Sequence, residues 1–196
     1  MTIVLASGSA GRAQLLRAAG VPFEPVRPQV DEDAAKASLS GHSPRDLADA
    51  LAELKATAVS LRMRGRVVLG SDQVLETADG AVLSKPRSRE EAADQLRRLR
   101  GTSHRLLSAA VLVEDGRPLW RHVEAATLSV RPFSDAWLDS YLDEEWPAIG
   151  GCVGGYRVEG RGITLFDRVE GTQAAIVGLP LLPLLSQLRT MGIMPS

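Results

Sequence analysis

An aspartate that closely follows a short apolar run is the residue whose type and place first suggest chemistry. The run at 67–70 has two adjacent β-branched residues and is preceded by Arg66, which is typical of a strand buried on both faces. Ser71, Asp72 and Gln73 follow this predicted strand directly. A carboxylate there is held rigidly at the sheet edge where α/β proteins place their ligands, so Asp72 is our first catalytic candidate.

A predicted hairpin could bring a lysine toward this aspartate. Residues 78–81 supply an Asp-Gly turn, and the chain then returns through Val82 and Leu83 to Lys85. A carboxylate and an ammonium held together at a strand end could handle a metal-bound phosphate. They could equally form an ordinary surface ion pair, which contributes little stability. Both interpretations stay open on these residues alone.

A loop of small residues near the N-terminus has the composition of an anion site. It runs from Ser7 to Arg12, between a predicted strand at 2–6 and a helix that Ser9 caps and that ends near Gly20. The loop offers backbone N–H groups at the positive end of the helix dipole. Arg12 adds a positive charge where the dipole gives it no help, which suggests an anionic ligand. A tight turn with a solvated arginine is the alternative, and the residues alone slightly favour it.

Two further charged positions could serve the same ligand. Three successive acids at 31–33 could be a solvated face or a helix cap. They could also supply oxygen ligands to Mg²⁺, which needs only one or two carboxylates beside substrate phosphates. Lys55 lies beside the apolar stripe of a helix predicted from Ser43 to about Met63. Such a lysine can simply extend along the core edge with its ammonium at the rim.

The whole-chain composition excludes several classes of function. The 196 residues suffice for one core, as one domain or as two small lobes that share a sheet. No apolar run approaches the roughly 20 residues of a membrane helix, and the N-terminus lacks the features of a secretory signal. We therefore expect a cytoplasmic protein with no membrane partner. A net charge of −1 and 4% aromatic residues argue against binding to a nucleic acid polymer. Cys152 is the only cysteine, so we expect neither an internal disulfide nor a cysteine metal cluster.

The rest of the chain predicts alternating strands and helices. The patterns indicate a strand at 22–28, a capping-box helix from Ser88, two strands at 104–113 and 119–130, a helix from Ser134, a strand at 163–169 and a last helix at about 180–191. The glycine-dense passage from Gly150 to Gly162 allows close backbone approach to a ligand, although a flexible connector would have the same composition. Glu159 is its notable polar residue.

Together these passages resemble the Maf family of nucleoside triphosphate pyrophosphatases. The resemblance runs from Leu5 to about Leu188. It rests on separate motifs in the family's order: LASGSAGR, VDE at 30–32, LAELKA around Lys55, GSDQV around Asp72, KP at Lys85, GTSH at 101–104, and VEGRGITLFDRVEG followed by VGLPL.

This resemblance implies both an architecture and an activity. The fold would be α/β, an elongated two-lobed mixed sheet with flanking helices, like that of the inosine triphosphate pyrophosphatases. Residues 1–196 would form a single domain with a central cleft between the two lobes, commonly in a homodimer. The activity would be the magnesium-dependent hydrolysis of a small-molecule nucleoside triphosphate to the monophosphate and pyrophosphate.

The resemblance also assigns roles to individual residues. Asp72 matches the catalytic acid that accepts a proton, and Glu32 and Asp72 would hold the divalent metal, Mg²⁺. The positions that would bind substrate are Ser7, Ser9, Gly11, Arg12, Lys55, Gln73, Lys85 and Glu159. Among them, the first loop and the two lysines would face the phosphates.

Two residue pairs are similar to the family branch that acts on 7-methyl-GTP. The branch acting on dTTP and UTP typically has Asp-Thr and a later glutamine where this chain has Asp72-Gln73 and Glu159-Gly160. A guanine presents adjacent N–H donors that a carboxylate such as that of Glu159 can accept. We therefore expect 7-methyl-GTP as the preferred substrate. A dTTP/UTP pyrophosphatase and a nucleotide-binding regulator of cell division with little turnover are the alternatives.

The first loop departs from the family pattern. The family usually has proline and then arginine or an aromatic residue where this chain has Ala10 and Gly11. Gly11 cannot stack on a base, so the departure bears on the substrate preference. Hydrolysis depends instead on Asp72, Glu32 and the cations.

Overall fold

Strands and helices alternate along residues 1–195, which are those that the computed structural model describes. The elements are β1 (Ile3–Ala6), α1 (Ala10–Ala18), β2 (Phe23–Pro25), α2 (Glu32–Ser38), α3 (Pro44–Ser60), β3 (Val68–Glu76), β4 (Val82–Leu83), α4 (Arg89–Leu99), β5 (Ser103–Glu114), β6 (Arg117–Val130), α5 (Asp135–Glu145), β7 (Phe166–Glu170), α6 (Gln173–Val177) and α7 (Leu181–Thr190). Three 3₁₀ helices lie at Ala148–Gly151, Val153–Gly155 and Arg161–Leu165.

The strands form one mixed sheet, as the sequence predicts. Their order is β2-β1-β3-β5-β6-β7, and β4 pairs with β3. Strand β1 is parallel to both β2 and β3, whereas the β3–β4 and β6–β7 pairs are antiparallel. Helices between strands flank this sheet, so the predicted α/β class is confirmed.

The described residues divide into two compact units. The first consists of Met1–Gln73, Leu107–Glu124 and the segment from Thr172 onwards, and the second of Val74–Leu106 and Ala125–Gly171. The predicted cleft between two lobes stays a prediction. In the described part of the chain, no helix is both long enough and apolar enough to cross a bilayer.

The first unit covers both faces of its central strands with helices. Leu69 of β3 packs in one buried cluster with Leu5 of β1, Leu16 of α1 and Leu184 of α7. Because successive residues of a strand point to opposite faces, Gly70 faces the other way, toward α3. The prediction that this strand is buried on both faces is therefore confirmed. The strand is apolar at successive positions because helices cover both of its faces.

The second unit has its own core of apolar and aromatic side chains. Helices α4 and α5 pack together, and Leu96, Leu106, Leu138 and Tyr141 are fully buried or nearly so. The Tyr141 hydroxyl donates a hydrogen bond to a backbone carbonyl of the glycine-dense passage. That passage is therefore ordered against this core.

Several predicted boundaries were wrong. Strand β3 continues to Glu76, so Asp72 lies within the strand and not after it. It still lies beyond β1, because β1 ends at Ala6, which is opposite Gly70. The strand predicted at 163–169 begins only at Phe166, because a 3₁₀ helix precedes it, with Gly162 packed against the backbone of Arg157.

The helix caps and turns that the sequence predicted are confirmed. The side chains of Ser9, Ser43, Ser88 and Ser134 each accept a backbone N–H at the start of a helix. The hairpin turn at 78–81 and the two strands predicted at 104–113 and 119–130 are also present. Helices α2 and α6 were not predicted, since each is too short to show a periodic stripe.

Candidate active site

A lysine ammonium joins the two acids that the sequence singles out. Lys55 Nζ lies 2.5 Å from Asp72 Oδ1 and 3.0 Å from Glu32 Oε1. The Lys55 and Asp72 side chains are 7% and 10% exposed, whereas Glu32 is 42% exposed. Lys55 therefore does not extend to a solvated rim, which was the alternative prediction. All three residues belong to the first unit.

Gly70 makes this arrangement sterically feasible. It lies two positions before Asp72 on β3, so both face α3. A Cβ on Gly70 would lie 2.1 Å from the Ala52 carbonyl oxygen and 2.8 Å from the Ala56 Cβ. Glycine is thus needed for α3 to lie this close to β3. The close approach brings Lys55, which lies between those two alanines, to Asp72.

Neighbouring residues of the acidic run at 31–33 have different roles, one as a helix cap and one at the site. The Asp31 side chain accepts a hydrogen bond from Ala34 N at 2.9 Å and caps α2. Glu32 is the first residue of α2, and its carboxylate contacts Lys55. The two interpretations of this run, a helix cap and a ligand-facing acid, therefore apply to neighbouring residues.

Arg12 is held by the first loop and by two distant backbone segments. Its Nη1 donates to Ser7 Oγ at 3.2 Å and to the Ser71 carbonyl oxygen at 2.8 Å, and its Nε donates to the Gly178 carbonyl oxygen at 2.8 Å. The solvated arginine that the residues alone slightly favoured is therefore wrong. Burial lowers the pKa of the Arg12 guanidinium, and the nearby charges of Asp72 and Glu32 oppose that shift.

The two loop serines organise the backbone around this arginine. Ser9 Oγ accepts a hydrogen bond from Arg12 N and caps α1. Ser7 Oγ accepts from Ser9 N at 3.2 Å as well as from the guanidinium. The structure thus brings Ser7, Ser9 and Arg12 together.

Gly11 is packed against α6. A Cβ placed on Gly11 would lie 2.8 Å from Val177 Cγ1, which is closer than real Cβ atoms approach. The absence of a large side chain at position 11 is therefore matched by Val177 on the facing helix.

Gln73 has its amide nitrogen committed to the protein. Nε2 donates to Ser108 Oγ at 3.0 Å and to the carbonyl oxygens of Ala175 and Ile176 at 3.0 and 2.9 Å. Its predicted contact with substrate stays a prediction, and the amide oxygen is the atom left for such a contact.

Lys85 and Glu159 belong to the second unit, and both are exposed. Lys85 follows β4, and Glu159 lies in the glycine-dense passage that ends at Gly162. Their assigned roles toward the substrate stay predictions.

Three residues of this region were missed from the sequence. Ser71 Oγ donates to the Gly178 carbonyl oxygen at 2.9 Å, and Ser108 Oγ donates to the Ala175 carbonyl oxygen at 2.7 Å. A serine within the apolar run of β5 is a signal that could have indicated Ser108, since a buried hydroxyl needs a partner. The third residue is Gly178, which lies within the VGLPL motif, and Ser71 directly precedes Asp72. Both therefore lie in or next to motifs that the sequence had already singled out.

The donor set fits a divalent cation that shares its ligands with a substrate. Two carboxylates, those of Glu32 and Asp72, already converge on one positive group. The described residues contain no group of three or more side chains that could hold a metal alone. Mg²⁺ commonly binds one or two carboxylates and completes its coordination with phosphate oxygens and water. Glu32 and Asp72 are the residues that could hold it.

Comparison with known proteins identifies the family. The family model described as "Maf-like protein" matches residues 2–191. The chain is 50% identical to a nucleoside triphosphate pyrophosphatase of Sphingopyxis alaskensis over 100% of both chains. It is 52% identical to one of Caulobacter vibrioides over 97% of this chain and 96% of the relative. A solved nucleoside-triphosphatase / dITP/XTP pyrophosphatase of Mycobacterium abscessus matches with a TM-score of 0.46 and 17% identity, over 97% of this chain and 98% of that one. The family match spans almost the whole sequence, and the chain belongs to the Maf family.

Proposed function

We propose that this protein hydrolyses a nucleoside triphosphate to the monophosphate and pyrophosphate. The observation that carries the proposal is the Lys55 ammonium between Asp72 and Glu32, with the Arg12 guanidinium near both carboxylates. Two cations and two carboxylates in one place suit a polyanionic substrate that binds with a metal ion. The names of the relatives from Sphingopyxis and Caulobacter support the same activity.

Asp72 would act as the general base. Its Oδ1 is bonded to Lys55, which leaves Oδ2 to accept a proton from an attacking water. The Lys55 ammonium fixes the orientation of the carboxylate, and a well-positioned base typically contributes about 10²–10⁴-fold to a rate. The base therefore lies on a strand and is held by a helix, a rigid mounting for catalysis.

Arg12 would bind the phosphates. Its Nε and Nη1 hydrogens are already bonded to the chain, so the two Nη2 hydrogens are those available to a phosphate oxygen. A guanidinium fixed in this way needs little reorganisation as charge develops on the leaving pyrophosphate.

We also propose that Glu32 and Asp72 hold Mg²⁺. When bound, the ion would neutralise part of the triphosphate charge and help to position the attacking water. The protein's part is to supply the two carboxylates and the adjacent cations. The proposal also includes a cytoplasmic location, which the composition and N-terminal residues predict, and a homodimer, which the family resemblance implies.

For the substrate, we propose a preference for 7-methyl-GTP. The pairs Asp72-Gln73 and Glu159-Gly160 support it, as does the ability of an exposed carboxylate to accept two N–H groups of a guanine. Gly11 offers no aromatic surface to the base, so polar contacts would carry the preference.

The test is pyrophosphate release with Mg²⁺ over 7-methyl-GTP, GTP, dTTP, UTP and CTP. We expect kcat/KM to be highest for 7-methyl-GTP, and we expect Glu159→Gln to reduce that lead by about tenfold, the cost of one good hydrogen bond. Asp167→Asn, a change of another exposed acid of the second unit, is the matched control and should leave the ranking unchanged. Highest turnover on dTTP and UTP would overturn the preference. Binding without turnover on any nucleotide would instead indicate a regulator.

A further inference from the structure

The segment that contains α6 is tied to the strand that carries Asp72. Helix α6 is capped by Thr172 and ends at Gly178, whose backbone is left-handed with φ 114°. Three of the segment's carbonyl oxygens accept hydrogen bonds from side chains of β3, β5 and α1. Those carbonyls belong to Ala175, Ile176 and Gly178, and the donors are Ser71, Gln73, Ser108 and Arg12.

Gln73 makes the greatest number of these contacts. Its Nε2 faces three acceptors, at Ser108, Ala175 and Ile176, with two hydrogens to share among them. The Ser108 hydroxyl hydrogen goes to the Ala175 carbonyl, so Ser108 Oγ is free to accept from Gln73. The donor role of Gln73 Nε2 and the acceptor roles of Ser108 Oγ and the two carbonyl oxygens are therefore mutually consistent.

The Gly178 carbonyl connects the end of α6 to Arg12. It accepts Arg12 Nε at 2.8 Å and Ser71 Oγ at 2.9 Å, so both of its lone pairs are used. A Cβ on Gly178 would lie 3.2 Å from Arg12 Nη2 and would require an unfavourable φ. Glycine at this position thus sets the direction of the carbonyl and leaves room beside Nη2.

We propose that Gln73 is a positioning residue that acts on the phosphates through α6 and Arg12. Its amide fixes α6, the end of α6 presents the Gly178 carbonyl, and that carbonyl orients the guanidinium so that Nη2 faces the ligand. This inference rests on the proposed function for the identity of the ligand. It gives Gln73 a role in phosphate binding, where the sequence identified it only as a substrate-binding position and as part of the pair that indicates the family branch.

Inorganic tripolyphosphate distinguishes the two roles because it has no base. We expect Gln73→Met, which keeps the side-chain length and removes the donor, to weaken tripolyphosphate binding by about tenfold in Mg²⁺ buffer, measured by calorimetry. The kcat/KM values of all nucleotides should fall by the same factor, with their ranking kept. Unchanged tripolyphosphate affinity together with a changed nucleotide ranking would overturn the proposal and assign Gln73 to the base.

A double-mutant cycle separates positioning from general damage. In an Arg12→Met background, Gln73→Met should cause no further loss of tripolyphosphate affinity, because its effect passes through Arg12. Additive losses would contradict the proposal. Gln187→Met is the matched control, because Gln187 is a glutamine of α7 in the same unit and has no assigned role toward the ligand. It should leave tripolyphosphate affinity unchanged.

A second variant keeps the test decisive if Gln73→Met does not fold. Ser108→Ala removes one small group beneath α6 and should weaken tripolyphosphate binding by about threefold, again only when Arg12 is present. An equal loss in the Arg12→Met background would overturn the mechanism. Because binding is measured without turnover, an inactive protein that still shows these effects would refute the proposed function and not the positioning role.

Discussion

The Lys55 ammonium and the Asp72 carboxylate form a short, buried ion pair, with 2.5 Å between Nζ and Oδ1. Burying two charges costs desolvation energy that their attraction only partly offsets, so such a pair is weak evidence for a stabilising role. At this position it orients a carboxylate beside Arg12. We therefore expect catalysis and stability to respond differently when the pair is altered.

Replacement of Asp72 by asparagine should abolish most of the turnover. The amide has the same shape but cannot accept a proton as a base, so we expect kcat to fall by about 10²–10⁴-fold. Tripolyphosphate binding should be largely kept, since the amide oxygen can still face the proposed metal ion and the removal of a negative charge near the phosphates offsets a weaker metal contact. Pyrophosphate release and calorimetry measure the two effects. Asp167→Asn is the control, and turnover that survived in Asp72→Asn would rule out Asp72 as the base.

Removal of one partner of the ion pair should destabilise the fold more than removal of both. Lys55→Met leaves Asp72 buried without its cation, which typically costs about 3–5 kcal/mol. The double variant Lys55→Met/Asp72→Leu replaces the charges by apolar groups and should recover most of that loss. Urea unfolding of the wild type, both single variants and the double variant measures the coupling. Simple additivity of the two single losses would show that the pair is not coupled.

A methyl group at position 70 should separate α3 from β3. Because a Cβ there would lie 2.1 Å from the Ala52 carbonyl oxygen, Gly70→Ala requires a backbone shift and should cost about 1–3 kcal/mol or more. The shift would also move Lys55 from Asp72, so kcat should fall. Gly151→Ala is the control, since nothing lies within 4 Å of a Cβ at that position. Equal unfolding free energies for the two variants would contradict this account.

Loss of the Glu32 carboxylate should raise the requirement for magnesium. Glu32→Gln replaces one of the two proposed carboxylate ligands by a neutral amide, so we expect the Mg²⁺ concentration for half-maximal activity to rise by about tenfold. A chelator should stop turnover in the wild type, and added Mg²⁺ should restore it. Asp33→Asn, which changes the exposed neighbour on α2, is the control. Full activity in the presence of excess chelator would contradict the metal assignment.

The parts of the site that the sequence could predict are those with local signals. Asp72 follows an apolar run, Ser9 caps α1, and Arg12 stands in the first turn of that helix. Each of these depends on residues within a few positions of one another. Lys55 was found as a charge beside an apolar stripe, although its partner on β3 was not evident from the helix pattern.

The parts that the sequence could not predict depend on contacts between distant segments. Ser71 and Gly178 meet across 107 positions, and no periodicity or capping signal relates them. Helix α6 has five residues, too few to show a stripe, yet it receives the side chain of Gln73. Only the folded chain shows that Gln73 contacts the protein's own carbonyls.

A buried histidine should make the protein less stable in mild acid. His104 is 1% exposed, its Nε2 lies 2.6 Å from the Tyr156 hydroxyl, and its buried Nδ1 has no hydrogen-bond partner. Burial lowers the pKa of His104 from 6.5 to about 4. Between those values the unfolded chain binds a proton that the folded chain does not, so the unfolding free energy falls as the pH falls.

The full effect is about 3 kcal/mol, at about 1.36 kcal/mol per pH unit. Urea unfolding at steps between pH 7 and pH 4 measures it. His104→Gln cannot take up this proton, so its unfolding free energy should depend less on pH over the same range, even if it is lower at pH 7. His42→Gln changes an exposed histidine and should keep the wild-type slope. An unaltered slope in His104→Gln would show that other groups cause the acid sensitivity.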